Sequence, residues 1–551
     1  MRIGRGMPVQ FVNSRRRPAR SERAKKALRA ADPKFRKLLN ARQMNFFLTS
    51  AAPNVSRLVE AVSGEMRARG GAFRTRHQSE RRNRHLEAIL LNLFAAHDAS
   101  PERYVAIGLS RNEYSQRGRY SPRWLSHGIT SGIVKGLQQA DYIARQTGFR
   151  DRGRQVGYRT RIRATQKLVT AFKRAGLQSE MISHASDFEL IRLRDAEKVL
   201  VEYTDDQLTE QMRNVMVAIN GYLSRSFIGL HVPNRVRRQL CNLLVSDACE
   251  HVEENDTNGV VDFTKRTLYR VFNDSSFERG GRFYGGWWQD VPSALRCHVY
   301  VGHEHITWHP QHTREVDFSS IQPNLAYALL DRAPPEDAYR IVSIPEDLQA
   351  VFRPLVKAAT LRMLNTSSRT QAIESLGKWY RETKVNPDLP SPAEVVSRVE
   401  ATHPALVRGE MFYRQVGKTL MFREARIAEK VMLEMNGRGA VVLPVHDSFL
   451  VMRGYYADKL AITMPKVFLE ETGQRCAVRE DLTEIEQERR QRGLAPDDVD
   501  YGAPVEELFN ILSRDRKEAS IFWNSFDDWL HGQPWYAEPA EPSADSDSFD
   551  D

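Results

Sequence analysis

The sequence predicts an α+β fold, mostly helical, in which small antiparallel sheets carry the chemistry. Three observations predict it. First, Ala440-Val441-Val442-Leu443-Pro444-Val445 and Phe449-Leu450-Val451 flank His446-Asp447-Ser448. Apolar, β-branched runs on both sides of a tight polar turn read as a hairpin that lifts one carboxylate out of a buried sheet. Second, Arg314-Glu315-Val316-Asp317-Phe318 reads as a strand ending in another acid, and Asn324-Leu325-Ala326-Tyr327 after it reads as a helix. Third, apolar residues elsewhere recur at helical spacing, as in Leu86, Ile89, Leu90, Leu93 and Phe94.

The chain of 551 residues is long enough for two to four domains, and 41% apolar residues suffice for their cores. Its formal charge of +11 fits a polyanionic partner, acting through local patches because salt screens the rest. No run approaches the roughly 18 apolar residues that span a bilayer, and the N-terminal segment lacks the apolar core of a signal peptide. No membrane partner is expected, and the expected location is cytoplasmic. Cys241, Cys249, Cys297 and Cys476 form no Cys-x-x-Cys pair and read as buried or incidental thiols. His303, His305, His309 and His312 have only Glu304 to complete a ligand set, so they read as a polar strand edge.

In chain order, residues 1–45 form a basic arm with Arg15-Arg16-Arg17 and Lys25-Lys26, suited to touching phosphates without reading sequence. Residues 46–180 begin with the buried helix at Leu86 to His97. A second helix carries Ile129, Ile133, Val134 and Leu137, with Ser126 as its N-cap. Tyr142 to Arg145 and Tyr158 to Arg163 then read as strands around a basic turn. This outline resembles winged helix-turn-helix domains. The resemblance implies that Arg150, Arg152 and Arg154 lie on a wing over the DNA backbone while the preceding helix enters the major groove. Residues 181–240 read as mainly helical, a connector or reduced thumb. Ser391 and Pro392 start a helix as N-cap and first helical residue, and Phe422 to Glu434 forms another with Ile427, Val431 and Met432 inward. Residues 531–551 are acidic and read as a disordered tail able to dock on a protein partner.

Between the two acidic strand ends lie Arg353, Lys357 and Leu361 at i, i+4 and i+8. One helix face then carries two cations followed by an apolar platform, suited to a triphosphate and its base. An Asp ending a strand, an Arg-x-x-x-Lys helix and a His-Asp hairpin, in that order, are similar to motifs A, B and C of the family A polymerases. His446-Asp447-Ser448-Phe449 resembles the single-subunit, bacteriophage-type RNA polymerases, whereas Asp317-Phe318-Ser319-Ser320-Ile321 resembles the DNA polymerase form. Glu278-Arg279-Gly280-Gly281-Arg282 resembles the Asp-x-x-Gly-Arg motif of the phage-type enzymes, which lies beside the template strand and hybrid. The likeness covers roughly residues 240 to 455.

The resemblance implies a right-hand polymerase built on a small antiparallel sheet, with a palm at 241–340, reduced fingers at 341–420, and a second palm segment with C-terminal helices at 421–530. It implies that Asp317, Asp447 and the Phe318 carbonyl hold two Mg²⁺ ions, with Mn²⁺ as a substitute. Arg353 and Lys357 would neutralise the nucleoside triphosphate, Leu361 and Asn365 would border its base and sugar, and His446 would orient the turn or primer end. Gln322 stands where the DNA polymerases carry a Glu against the 2′-hydroxyl. Arg282, with Gly281 and Glu278, would meet the DNA template or RNA/DNA hybrid. Departures are Asn365 in place of a Tyr, Thr366 in place of a Gly, and Glu278 in place of an Asp. The expected activity is template-directed nucleotidyl transfer on DNA, in a protein encoded by a phage or mobile element of a bacterial host. The alternative is a catalytically weak or inactive polymerase-derived protein that binds DNA or hybrids.

Overall fold

The computed structural model describes residues 41–68, 76–115, 118–151, 156–232, 234–241, 261–303, 311–341, 343–383, 385–386 and 388–480. Most of the basic arm, Arg152 and Arg154 of the expected wing, Cys249, His305, His309 and the acidic tail lie outside them. The fold is α+β, about half helical with small sheets, so it is less helical than the sequence pattern implies. Among the described residues no helix is long and apolar enough to cross a membrane.

Buried apolar side chains form two cores, one drawn from residues between Leu48 and Ile182, the other almost wholly from Ile191 to Cys476. The first core is built by β1 (Arg42–Gln43), α1 (Pro53–Ala68), α2 (Arg76–Ala99), β2 (Val105–Ile107), α3 (Asn112–Ser115), α4 (His127–Gln139), β3 (Ile143–Gln146), the hairpin β4 (Phe149–Asp151) with β5 (Val156–Tyr158), β6 (Thr160–Ala164) and α5 (Gln166–Arg174). Its sheet runs β1-β2-β6-β3, with β4 and β5 as a separate two-stranded sheet. Helix α2 is the axis of this lobe: Leu86, Ile89 and Leu91 are fully buried.

Helix α4 starts after Ser126, yet the Ser126 hydroxyl caps nothing. Instead its backbone amide donates to Nε2 of the buried His85 at 3.0 Å, while His85 Nδ1 bonds the Arg81 carbonyl at 2.7 Å and the ring packs edge-on to Trp124. A neutral imidazole therefore sets where α4 begins. Burial pulls His85 down to about 4 and His184 of the same lobe down to about 3. Because both folded values lie below the unfolded one near 6.5, the unfolded chain binds protons first as pH falls. The stability in question is fully present above about pH 6.5 and is lost on the way to about pH 4. Urea unfolding should show the lobe losing about 2 kcal/mol through His85 alone between about pH 7 and pH 5, and His85→Gln should flatten that dependence.

The second core is built by β7 (Ile191–Leu193), α6 (Gln207–Ser224), β8 (Ser226–Leu230), β9 (Arg266–Asn273), β10 (Ser276–Gly286), β11 (Val299–His303), β12 (Gln311–Phe318), α7 (Ile321–Ala328), α8 (Glu346–Asn365), α9 (Arg369–Thr383), α10 (Pro392–Thr402), α11 (Gly417–Asn436), β13 (Val442–Val445), β14 (Ser448–Met452), α12 (Tyr455–Thr472) and β15 (Val478–Glu480). A six-stranded sheet runs β8-β11-β12-β14-β13, with β15 also paired to β12, and a three-stranded sheet runs β10-β9-β7. The segment 181–240 is therefore not mainly helical: it supplies β7 and β8 to the two sheets besides α6 and the short helix Asn234–Leu240. Ser391 caps α10 through its hydroxyl, which accepts from the Glu394 amide, with Pro392 at the first turn. Polar ties join the lobes: buried Arg42 reaches Asp262 at 2.5 Å, Thr264 at 2.9 Å and Asn92 at 3.2 Å.

Candidate active site

The hairpin β13–β14 turns at His446-Asp447, with Val445 opposite Ser448. Its strands are held from behind, since Trp288 Nε1 and Gln289 Nε2 both donate to the Pro444 carbonyl at 3.1 Å. His446 sits at φ +58°, a conformation that costs a non-glycine residue energy and that is retained where surrounding structure imposes it. Strand β14 pairs with β12 in antiparallel register, placing Asp317 opposite Ser448. Alternation along β12 sends Val316 and Phe318 into the core and leaves Glu315 and Asp317 on the other face. The two aspartates, 130 positions apart in the chain, thus meet at the rim of one sheet. The amide of Phe318 approaches the Asp447 carbonyl at 3.5 Å.

Burial, with the like charge of Asp447 beside it, pushes the Asp317 carboxyl up to about 7; Arg479, Lys357 and Glu315 are further charges in reach. The Arg479 guanidinium lies 3.3 Å from Asp317 but is 75% exposed, so it neutralises the pair weakly. Such a pair fits divalent cations, because the like charge that raises Asp317 is relieved by an added positive charge. Among the described residues no group of three or more His, Cys, Asp or Glu side chains forms a metal cluster; the pair and the Phe318 carbonyl are what this rim offers.

Lys357 and Arg353 both lie on α8, as their spacing predicts. Lys357 is exposed and its charge acts on Asp317. Arg353 pairs with Asp337 and stands 5.5 Å from the ring of Tyr339. Leu361 is half-buried, and Asn365 ends the helix by donating to the Leu361 carbonyl at 2.7 Å. A β-carbon at Gly417 would fall 1.9 Å from Asn365 Oδ1, so the close start of α11 fixes that side chain's place.

Arg282 and Gly281 lie on β10. Gly281 has φ +79°, and a β-carbon there would meet the Phe272 ring at 2.7 Å, so only glycine brings this strand against its neighbour. Arg282 turns back on the protein: its Nε and Nη2 each donate at 2.7 Å to the carboxylate of Glu424, which is 1% exposed. Burial alone would lower Arg282, but Glu424 and then Asp447 hold it above the ordinary arginine range. Gln322 donates to the same Glu424 carboxylate and is buried, not displayed at the rim. Glu278 stands exposed near the hairpin tip and joins neither group. His446 is buried enough to fall to about 4, with Arg282 as the second cause, and among the described residues its Nδ1 has no hydrogen-bond partner. Arg150 is exposed on β4.

Three residues at or beside the rim carry no sequence signal. Glu424 reads as one charge among several on an amphipathic helix. Glu315, which accepts from Ser448 Oγ at 2.5 Å and pairs with Arg296 at 2.8 Å, reads as a strand-edge acid. Tyr339, in a connecting loop, is held well above the usual phenol range, first by burial and next by the charge of Asp447. The sequence matches no protein-family model and no curated protein.

Proposed function

We propose that the chain is a template-directed nucleotidyltransferase, similar in its catalytic motifs to the phage-type RNA polymerases and their family A relatives. The observation that carries the reading is the meeting of Asp317 and Asp447 at one sheet rim. Asp317, Asp447 and the Phe318 carbonyl would hold two Mg²⁺ ions, or Mn²⁺ in their place. When bound, such ions favour the deprotonated attacking hydroxyl and offset charge on the departing pyrophosphate. The chain's own cations do the rest: Lys357 faces the acidic rim and is available to a triphosphate, while Arg353 needs Asp337 to release it. Lys357→Met is therefore expected to lower kcat/KM for nucleotide by about 100-fold and Arg353→Ala by about tenfold, the range that charge-assisted hydrogen bonds span.

The first lobe supports a DNA-contacting role. Its order is helix α2, strand β2, helices α3 and α4, strand β3, the paired strands β4 and β5, and strand β6, with β6 between β2 and β3. This order supports the winged-helix reading, in which α4 would be the reading helix and β4–β5 the wing. Exposed Lys135, Gln138 and Gln139 on α4 and Arg150 on the wing are the groups offered.

The test is extension of a labelled primer–template with Mg²⁺ or Mn²⁺, supplying ribo- and deoxyribonucleoside triphosphates separately, with Asp447→Ala as control. Template-dependent product that vanishes in the control is the expected result. No product under any condition, with hybrid binding intact, would overturn the catalytic reading and favour a polymerase-derived binding protein.

A further inference from the structure

The three-stranded sheet β10-β9-β7 buries one face, and on the other Arg282 lies near enough to Asp447 to feel its charge. Val271 of β9 pairs with Arg282 on one side and Arg192 on the other, and Tyr269 pairs with Tyr284. Two-residue alternation then puts Arg192, Tyr269, Arg282 and Tyr284 on one face, with Arg194 next after Arg192, while Ile191, Leu193, Phe272 and Phe283 pack into the core. The Arg192 guanidinium lies 3.9 Å from the centre of the Tyr269 ring and 4.8 Å from that of Phe188. The rings of Tyr269 and Tyr284 are 6.3 Å apart and inclined by 31°. Arg194 acts electrostatically on both tyrosines, and Tyr284 neighbours Arg282 and Glu424.

Arg192 is the unusual member. Among the described residues no carboxylate stands within ion-pair distance of it, and its buried Nε has no acceptor. Glu189, the nearest acid by sequence, acts on Arg192 from beyond ion-pair distance and is already held by Arg119 at 3.0 Å and Arg213 at 3.3 Å. Burial lowers the Arg192 pKa, so the charge is kept at a cost. A half-buried guanidinium stacked on rings without an ion pair of its own is costly and is relieved by an external anion. Alternating arginines and tyrosines are also the chemistry that grips unpaired strands: cations take phosphates, and rings take bases of any sequence.

We propose that this strip is a binding track for single-stranded polynucleotide, its phosphates taken by Arg192 and Arg194 and its bases stacked on Tyr269 and Tyr284, leading the strand to the rim where Asp317 and Asp447 meet. The inference deepens the nucleotidyl-transfer reading and rests on it for the strand's destination. Binding, however, is measured without turnover.

The experiment uses the full chain and fluorescence anisotropy with two labelled DNAs, a primer–template bearing a single-stranded 5′ overhang and a blunt duplex of the same paired length. Arg192→Gln and Tyr269→Leu should each weaken overhang binding about tenfold, the effect of losing one stacked base or one phosphate contact. Both should leave blunt duplex within twofold of wild type, and Arg192→Gln should also lower the salt slope by about one. Tyr269→Phe keeps the ring and should bind within twofold of wild type. Overhang binding unchanged in Arg192→Gln, equal loss on both DNAs, or a Tyr269→Phe as weak as Tyr269→Leu would each overturn the track. Asp447→Ala should keep the binding and lose only extension, so failure of the catalytic reading and failure of the track give different results.

Discussion

Asp447→Ala is expected to lower template-directed nucleotide addition by about a thousandfold or more, because cation-held charge stabilisation is worth several kcal/mol and about 1.4 kcal/mol is each factor of ten. The same variant should not unfold the protein. Asp447 lies half-exposed at a turn, and its negative charge is one of the two main causes that raise Asp317. Removing it relieves a repulsion that the folded state carries and the unfolded chain does not. The urea midpoint should therefore stay level or rise while activity disappears. Asp447→Asn should behave alike, since it keeps the turn's shape and discards the charge. An activity loss below about tenfold, or a clear drop in midpoint alongside the loss, would mean that Asp447 braces the hairpin instead of serving the reaction.

How much of this was legible from residues alone depends on the range of the interactions involved. The hairpin at Val442 to Met452 and the strand ending at Asp317 declare themselves because their apolar residues are contiguous or alternate over a full strand, and α8 because Arg353, Lys357 and Leu361 recur at helical spacing. Strands β7 and β8 do not. Three residues, Ile191 to Leu193, are too few for a period of two to show, and their partner is Arg270 to Phe272, about eighty positions away. Charged residues beside them favour a helical reading until that partner is known. Ser126 marks the start of α4 correctly for the wrong reason: the expected hydroxyl cap is absent, and a buried imidazole from α2 bonds its amide. Gln322 and Arg282 were found by motif position, but the motif does not tell that both are tied to Glu424. A buried acid on an otherwise ordinary helix becomes visible only when packing removes it from water.

That buried acid carries the largest expected effect on stability. Glu424 is 1% exposed and receives two hydrogen bonds from Arg282 and one from Gln322, so it joins β10, α7 and α11 beneath the rim. Glu424→Ala would leave Arg282, itself 17% exposed, charged without its partner, and breaking such a pair from one side costs about 3–5 kcal/mol. Glu424→Gln keeps the size and some hydrogen bonding, so roughly half that loss is expected by equilibrium urea unfolding. Joint replacement separates stability from function. Arg282→Met with Glu424→Leu removes both charges and fills the space with apolar atoms, which is often neutral or stabilising for a buried pair. The double variant should recover at least about 2 kcal/mol relative to Glu424→Ala. It should not recover nucleotide addition, because Arg282 also contributes positive charge beside Asp447 and His446. Recovery of both would make the network a packing device alone. A Glu424→Ala variant within about 1 kcal/mol of wild type would show that Arg282 reaches water once its partner is gone.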